Sequence, residues 1–407
     1  MSQLLINHSP ELKRLRDEGY NTSIIANHLV VDDIPYVTSS REVKIGKLVT
    51  DLVVNGDSVS GMGSHVAYFI GEHPCDQNGR LLTMIQHGSR QIQRAPGLVV
   101  DHSFSSKPVG CRGYNDYYHK MTTYIGIIAG PALGISPDKD PRTFPPIESS
   151  EEESVFRYVD TATSRAGLGA LVEKLAVPSV AIVGLGGTGV YILDHIAKLP
   201  VKNIHLFDGD VFSNHNAFRS TGAPSLEELR ARPCKVDYHQ ARYSKMRRGI
   251  HAHPERIDEA NVEQLRSMSF VFLCIDDGQS RKLIVEKLEE FGIPFIDVGM
   301  GVNLADDGTL FGTLRATTST PEMREQVYKG NRIPFEDGEI ENLYATNIQL
   351  SVLNCMNACL AVTKWLKLMG FLHDTENEHF SAYSIDGNTI INEDLSPCPI
   401  TSLRTAS

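Results

Sequence analysis

The sequence predicts an α/β protein, with a mostly parallel sheet in its C-terminal half preceded by a smaller α+β domain. Three observations predict it. A glycine-rich turn stands directly between a β-branched strand and a helix, further apolar strands alternate with helical patterns, and a proline- and acid-rich stretch divides the chain.

The first strand is Val180 to Val183; the turn follows, and Val190 to Lys198 reads as a helix. Ile204 to Phe207, Phe270 to Ile275 and Pro294 to Val298 read as further buried strands, giving the βαβ alternation of a parallel sheet. Asn347 to Met369 reads as a long amphipathic helix with Ile348, Val352, Cys355, Cys359, Val362 and Leu366 on its apolar face. The stretch 136–154 carries Pro137, Pro141, Pro145 and Pro146 among acidic and hydroxyl residues, without apolar periodicity, and reads as a linker. Residues 1–135 then form the accessory α+β domain and 155–407 the larger one. Within the first, Glu11 to Leu29 has the spacing of a short helix pair, while His65 to Ile70 and Leu98 to Val100 look like strands. His73, Cys75, Cys111 and His119 match no metal or nucleophile spacing, and read as residues of turns and packed aromatic segments.

Composition narrows the function. With 407 residues and 41% hydrophobic content the chain can bury substantial cores. A formal net charge of -11 argues against a nucleic-acid partner held through its phosphates. No segment is apolar enough to cross a bilayer and the N-terminus does not read as a signal peptide, so a cytoplasmic protein without a membrane partner is expected. The seven cysteines are scattered and form no CxxC pair, so free thiols are expected, with neither disulfides nor zinc.

The chemistry starts at VAIVGLGGTGVYILDHIAKL, where Gly184, Gly186 and Gly189 make a GxGxxG turn and Gly187 lies between them. Glycine permits the tight turn and lets phosphate or ribose approach the backbone, and the helix start offers unpaired N–H groups. Asp208, nineteen residues beyond Gly189 at the end of the next strand, can accept hydrogen bonds from ribose hydroxyls. This much is Rossmann-like and fits a nicotinamide enzyme equally well. The following segments add Asp208, Asp210, Asn216 and Arg219 in FDGDVFSNHNAFRS, then Lys235, then Asp276 and Arg281. A hydride-transfer site has no need of such cations; a site that attacks the α-phosphorus of ATP does, together with a carboxylate for magnesium.

At these residues the sequence resembles the ThiF/MoeB and ubiquitin-activating superfamily. The resemblance lies in the order glycine turn, D-x-D, N-x-x-R, lysine and D-x-x-x-x-R, and spans about Arg165 to Gly370. It implies a bacterial-type, ATP- and Mg2+-dependent adenylyltransferase that acts on the C-terminal carboxylate of a ubiquitin-like protein. Asp208 would hold the ribose, with Asp210 beside it. Asn216, Arg219 and Lys235 would grip the phosphates, and Asp276 would bind magnesium. Arg165 is similar in position to a family arginine that reaches into the partner subunit's site, which implies a homodimer. The N-terminal 135 residues resemble a domain that accompanies ThiF-like modules beside bacterial ubiquitin-like systems, which makes a conjugating enzyme a second partner to consider.

The sequence also departs from that family. Relatives that pass the acyl group to sulfur keep a cysteine in the crossover loop, and many carry two CxxC zinc pairs; here 275–354 contains no cysteine. Cys355 and Cys359, one helical turn apart, read as core residues rather than zinc ligands. Cys398 in the tail reads as an exposed acceptor thiol, and Cys234 as a thiol activated by neighbouring Lys235. Two other readings stay open: adenylation of a sulfur-carrier, peptide or small-molecule carboxylate, and a nucleotide-binding scaffold without chemistry.

Overall fold

The computed structural model describes residues 2–56, 58–108, 113–149, 154–165, 168–335 and 348–395. Contacts divide the chain into two units, residues 1–153 with 158–168, and residues 154–157 with 169–407.

The first unit is a six-stranded antiparallel sheet with a long helix packed on it. Its strands are β1 (Thr22–Ile25), β2 (His28–Val37), β3 (Val43–Asp51), β6 (Val66–Ile70), β7 (Gln86–Ala95) and β8 (Leu98–Ser105), ordered β1-β2-β3-β6-β8-β7. The short hairpin β4 (Val54–Asn55) and β5 (Ser58–Val59) stands apart. The helix Tyr117–Ile135 lays Tyr117, Met121, Tyr124 and Ile128 against Leu48, Phe69 and Phe104. Lys120 on the same helix is buried, but its ammonium donates to Thr50 Oγ1 at 2.5 Å and to the carbonyls of Ser64 and Val66, each at 2.7 Å. All three donors of the charged group are thereby satisfied.

The expected helix pair at 11–29 is replaced by one helix, Pro10–Asp17, and the β1–β2 hairpin. Ala26 and Asn27 both have positive φ, 44° and 62°, the backbone of a two-residue turn that matches the twist of the flanking strands. That turn reverses the chain, and the β-branched residues on either side pair as strands although their spacing also suits a helix.

The second unit holds an eight-stranded sheet. Its strands are β9 (Ser179–Val183), β10 (Asn203–Phe207), β11 (Ile250–His253), β12 (Phe270–Leu273), β13 (Phe295–Leu304), β14 (Leu310–Ser319), β15 (Phe380–Ser384) and β16 (Thr389–Glu393), ordered β11-β10-β9-β12-β13-β14-β15-β16. The five strands from β11 to β13 pair in parallel; β13 to β16 extend the sheet as an antiparallel meander. The predicted mostly parallel α/β sheet and the preceding α+β domain are therefore present.

Both faces of the parallel part are covered. Val180 and Ile182 of β9 pack with the helices Gly187–Ile196 and Ser351–Leu368, whereas Ala181 and Val183 pack with Ile284, Val285 and Leu288 of the helix Gly278–Phe291. A strand buried on both sides reads as a continuous apolar run, which is why β9 and β12 were legible. No described helix is long and apolar enough to cross a membrane.

The last long helix turns only part of the face that its apolar periodicity predicts to the core: Val362 and Leu366 pack there, but other positions do not. Leu353, Asn354, Asn357, Ala358, Ala361, Val362 and Trp365 are buried, whereas Val352 is 62% exposed and Cys359 is exposed. Small side chains let the helix approach the sheet and its neighbouring helix closely, so bulk alone misplaced the buried face.

His239, on the helix Lys235–Tyr243, is fully buried between Phe212 and Tyr238, with no partner for either ring nitrogen among the described residues. Burial, reinforced by Arg242 and Lys235, pushes its pKa down from 6.5 to about 3. The folded ring therefore stays neutral while the unfolded ring titrates near its ordinary value. Between those values the unfolded state binds the extra proton, so stability is lost as pH falls from about 6.5 toward 3, by about 1.4 kcal/mol per pH unit. His239→Phe removes that dependence, and replacing an unpartnered polar ring by an apolar one costs little at neutral pH. The single tryptophan, Trp365, lies in this core and reports the second unit by fluorescence. Denaturant midpoints from pH 7 to 4 should diverge between wild type and variant. Parallel curves would assign the acid sensitivity elsewhere.

Candidate nucleotide site

The site lies at the carboxyl ends of the central parallel strands. β9 has β10 on one side and β12 on the other: the chain winds outward from β9 through β10 to β11, then crosses back to β12 and winds the opposite way to β13. In open α/β sheets such a switch point opens the crevice that receives ligands. The glycine turn follows β9, Asp208 follows β10, and Asp276 is the third residue after β12.

The glycines serve separate purposes. Gly184 has φ +92°, and a Cβ there would lie 2.6 Å from the Cys274 carbonyl oxygen; at Gly189 it would lie 2.0 Å from the Gly184 carbonyl oxygen. Both must be glycine for the backbone to close. At Gly187 a Cβ would meet the Asn354 amide at 2.1 Å, whereas Gly186 faces open space. Gly186 is thus free of any packing demand from the chain itself, which fits a position reserved for an incoming ligand. Gly189→Ala should therefore destabilise the second unit by about 1–3 kcal/mol or more, the cost of overpacking against rigid backbone. Gly186→Ala should leave stability unchanged and weaken ATP binding. Trp365 denaturation curves and ATP titration of both variants test the pair; loss of stability in Gly186→Ala would overturn the assignment.

Asp208 braces the turn. It is 9% exposed; its Oδ2 accepts from the Leu185 N–H at 2.7 Å and its Oδ1 from the Asp210 N–H at 2.9 Å. Lys235, 6% exposed, places its ammonium 3.3 Å from Asp208 and 2.8 Å from Asp210. Arg256 completes the group 2.8 Å from Asp210. Partial burial pushes the Asp210 carboxyl up, but the hydrogen bonds and charges of Lys235 and Arg256 outweigh it and hold the group at about 2. Asp210 is the more open carboxylate, with its side chain 46% exposed.

Asn216 is 2% exposed, and its Oδ1 accepts from the Ser213 N–H at 2.9 Å, closing the first turn of the helix Asn214–Ala217. That turn carries Arg219, whose Nε is buried with no partner among the described residues. Burial lowers the Arg219 pKa and the charge of Asp276 opposes the shift, so the guanidinium and this carboxylate lie in the same electrostatic environment. Asp276 is exposed and makes no hydrogen bond or ion pair to another described residue. Its neighbour Asp277 is committed elsewhere, capping the helix Gly278–Phe291 by accepting from the Ser280 N–H at 2.6 Å. Arg281 is buried and pairs with Asp297 at 3.0 Å, with Arg315 on the other carboxylate oxygen at 2.8 Å. Arg281 also donates to the carbonyl of Ile275, which fixes the backbone immediately before Asp276.

Two of the sequence-derived residues are not placed with this group by the described residues. Arg165 ends the helix Thr161–Arg165 in the first unit, and its side chain is outside the described set. Cys398 lies outside the described residues, as does Cys111. Cys355 is half-buried and Cys359 exposed, so the expectation that both pack in the core does not hold.

Sequence reasoning missed Asn354, Arg256 and Arg247. Asn354 is buried against the glycine turn, accepting from Thr188 Oγ1 at 3.1 Å, with its Nδ2 unpartnered among the described residues. The signal was two amides, Asn354 and Asn357, spaced three apart on an otherwise apolar helix. Arg247 is buried at the far end of the glycine-turn helix and donates to the carbonyls of Leu199 and Val201, where a cation complements the helix dipole.

The family model described as the ThiF family matches residues 162–397, more than half of the chain. The chain belongs to the ThiF family. Nucleotide binding and adenylyl transfer fit that family. Residues 10–161 match a second model, described as Domain of unknown function (DUF6791). No curated protein matches the chain. Among solved structures the ThiF-family chain is similar to E. coli MccB with MccA-N7isoASN, at 18% identity and a TM-score of 0.44, covering 59% of this chain and 73% of that one. For E. coli MccB with ATP the figures are 16%, 0.43, 57% and 68%. For a crystal structure of PaaA they are 17%, 0.43, 56% and 76%.

Proposed function

We propose that this ThiF-family chain is an ATP-dependent adenylating enzyme that converts the C-terminal carboxylate of a ubiquitin-like protein into an acyl-adenylate and releases pyrophosphate. The observation that carries the reading is the placement of the glycine turn, Asp210 with Lys235, and Arg219 with Asp276 at the carboxyl ends of three adjacent parallel strands. Cations and an uncommitted carboxylate gathered around a glycine turn suit a triphosphate better than a redox ring.

The roles follow from the environments. Asp208 accepts hydrogen bonds from two backbone amides, which fix it in the turn, and keeps acceptor capacity for a ribose hydroxyl, with the more open Asp210 beside it. Lys235 reaches phosphate only by leaving or sharing its carboxylates, whereas Arg219 is poised to accept an anion at once. Asn216 shapes the turn that presents Arg219. Asp276 fits a Mg2+ ligand, since oxygen donors suit that ion and this carboxylate is exposed with no partner among the described residues. Bound there, Mg2+ would neutralise charge on the phosphates. The substrate carboxylate is already ionised and needs no general base, so orientation and charge stabilisation supply the catalysis. The chain acts as a homodimer in this reading, with Arg165 serving the partner's site.

The test is ATP–pyrophosphate exchange. Exchange stimulated by a ubiquitin-like protein with a free C-terminus, and abolished when that terminus is amidated, supports the proposal. Exchange driven by peptides or small acids alone would keep adenylation and remove the ubiquitin-like substrate. ATP binding with no exchange for any carboxylate would leave a scaffold.

A further inference from the structure

We infer that His195, Cys355 and Cys359 form a zinc site that clamps the helix Gly187–Ile196 to the helix Ser351–Leu368. The histidine stands 160 or more residues before the two cysteines in the chain, and the three ligand atoms all lie within 4.8 Å of one another. His195 stands in the last turn of the first helix; the two cysteines stand one turn apart on the second. Two thiols and an imidazole are a donor set that zinc prefers.

The spacing fits the ion. With Zn–S near 2.3 Å and Zn–N near 2.0–2.1 Å, a tetrahedral site separates sulfur from nitrogen by about 3.6 Å. The observed distance from Cys359 Sγ to His195 Nε2 is 3.6 Å. No fourth histidine, cysteine or carboxylate joins the group among the described residues, so the fourth position falls to water on the exposed Cys359 side. On the other side Cys355 and Cys359 border an apolar cavity of about 280 Å³ walled by Met356, Leu360 and Tyr383. Zinc binding would displace the two thiol protons to solvent and leave both sulfurs as thiolates.

The site has a structural purpose. Nearer the N-terminus of the glycine-turn helix the same two helices are already joined by Thr188 with Asn354 and by Tyr191 with Ser351. A metal at His195 fixes the opposite end of the glycine-turn helix, so the orientation of its N-terminus would depend on zinc without zinc touching the nucleotide. The absence of CxxC pairs led to the expectation of no zinc; here the ligands meet only through helix packing. This inference does not depend on the adenylation proposal.

Full-length protein purified under reducing conditions and stripped with chelator should take up one zinc per chain. Cobalt, replacing zinc, should give thiolate-to-metal charge-transfer absorption. Cys359→Ser should lose that band, and because the residue is exposed the variant should fold as wild type by Trp365 fluorescence. Zinc should raise the wild-type melting temperature and leave that of the Cys355→Ser, Cys359→Ser double variant unmoved. Failure of the reduced protein to develop the cobalt band, or an equal band in the double variant, would overturn the site.

Discussion

Asp276→Asn is expected to reduce ATP–pyrophosphate exchange by at least about 10²-fold while leaving the melting temperature unchanged. A magnitude of that order accompanies removal of one preorganised electrostatic partner from a reacting phosphate, and a lost metal ligand costs no less. The fold should be indifferent because the carboxylate is exposed and supports no described neighbour through a hydrogen bond or ion pair. The substitution keeps size and shape and removes only charge. The measurement is exchange against Mg2+ concentration. Raising Mg2+ should partly restore exchange if the metal is what has been lost; wild-type exchange at low Mg2+ would place the ion elsewhere.

Arg219→Ala is expected to act with similar size and likewise without loss of stability. Its guanidinium is partly desolvated, with an Nε unpartnered among the described residues, and burial pulls its pKa down against the charge of Asp276, so the ligand-free protein bears an incompletely compensated charge. Removing such a group should leave melting temperature unchanged or slightly raised, while turnover falls about 10²-fold. Residues held against their own stability are the ones retained for chemistry. The Lys235 ammonium, paired with two carboxylates, should behave in the contrary way: Lys235→Ala strips the counter-charge from Asp208 and Asp210 and loosens the glycine turn as well. Melting curves beside exchange rates separate the two, and a destabilised Arg219→Ala with normal turnover would refute the assignment.

Both predictions bear on residues legible in the sequence, and the reason is local. Gly184 and Gly189 announce themselves because a backbone closing on itself admits no Cβ, and Asp208 because a carboxylate at a strand end after such a turn has a narrow use. The strands β9, β10 and β12 were legible because their apolar runs are buried on both faces. By contrast β11, with the sequence IHAH, alternates but is only four residues long with two histidines, too weak a signal alone, and it joins the sheet because β10 offers it an edge. The β1–β2 hairpin was misread as helix, because its apolar spacing serves either period and only the Ala26–Asn27 backbone decides between them.

The sequence by itself determined the α/β class, the glycine turn and the order of charged residues after it, since each is written in neighbours along the chain. Only the tertiary structure decided what those residues do to one another. It tied Lys235 and Arg256 to Asp210, left the Arg219 Nε without a partner among the described residues, and set Asn354 beneath Gly187. It also turned Cys355 and Cys359 out of the core toward His195. Ion pairing, burial and ligand geometry depend on distances between segments far apart in the chain, and helix and sheet packing set those distances, not residue order.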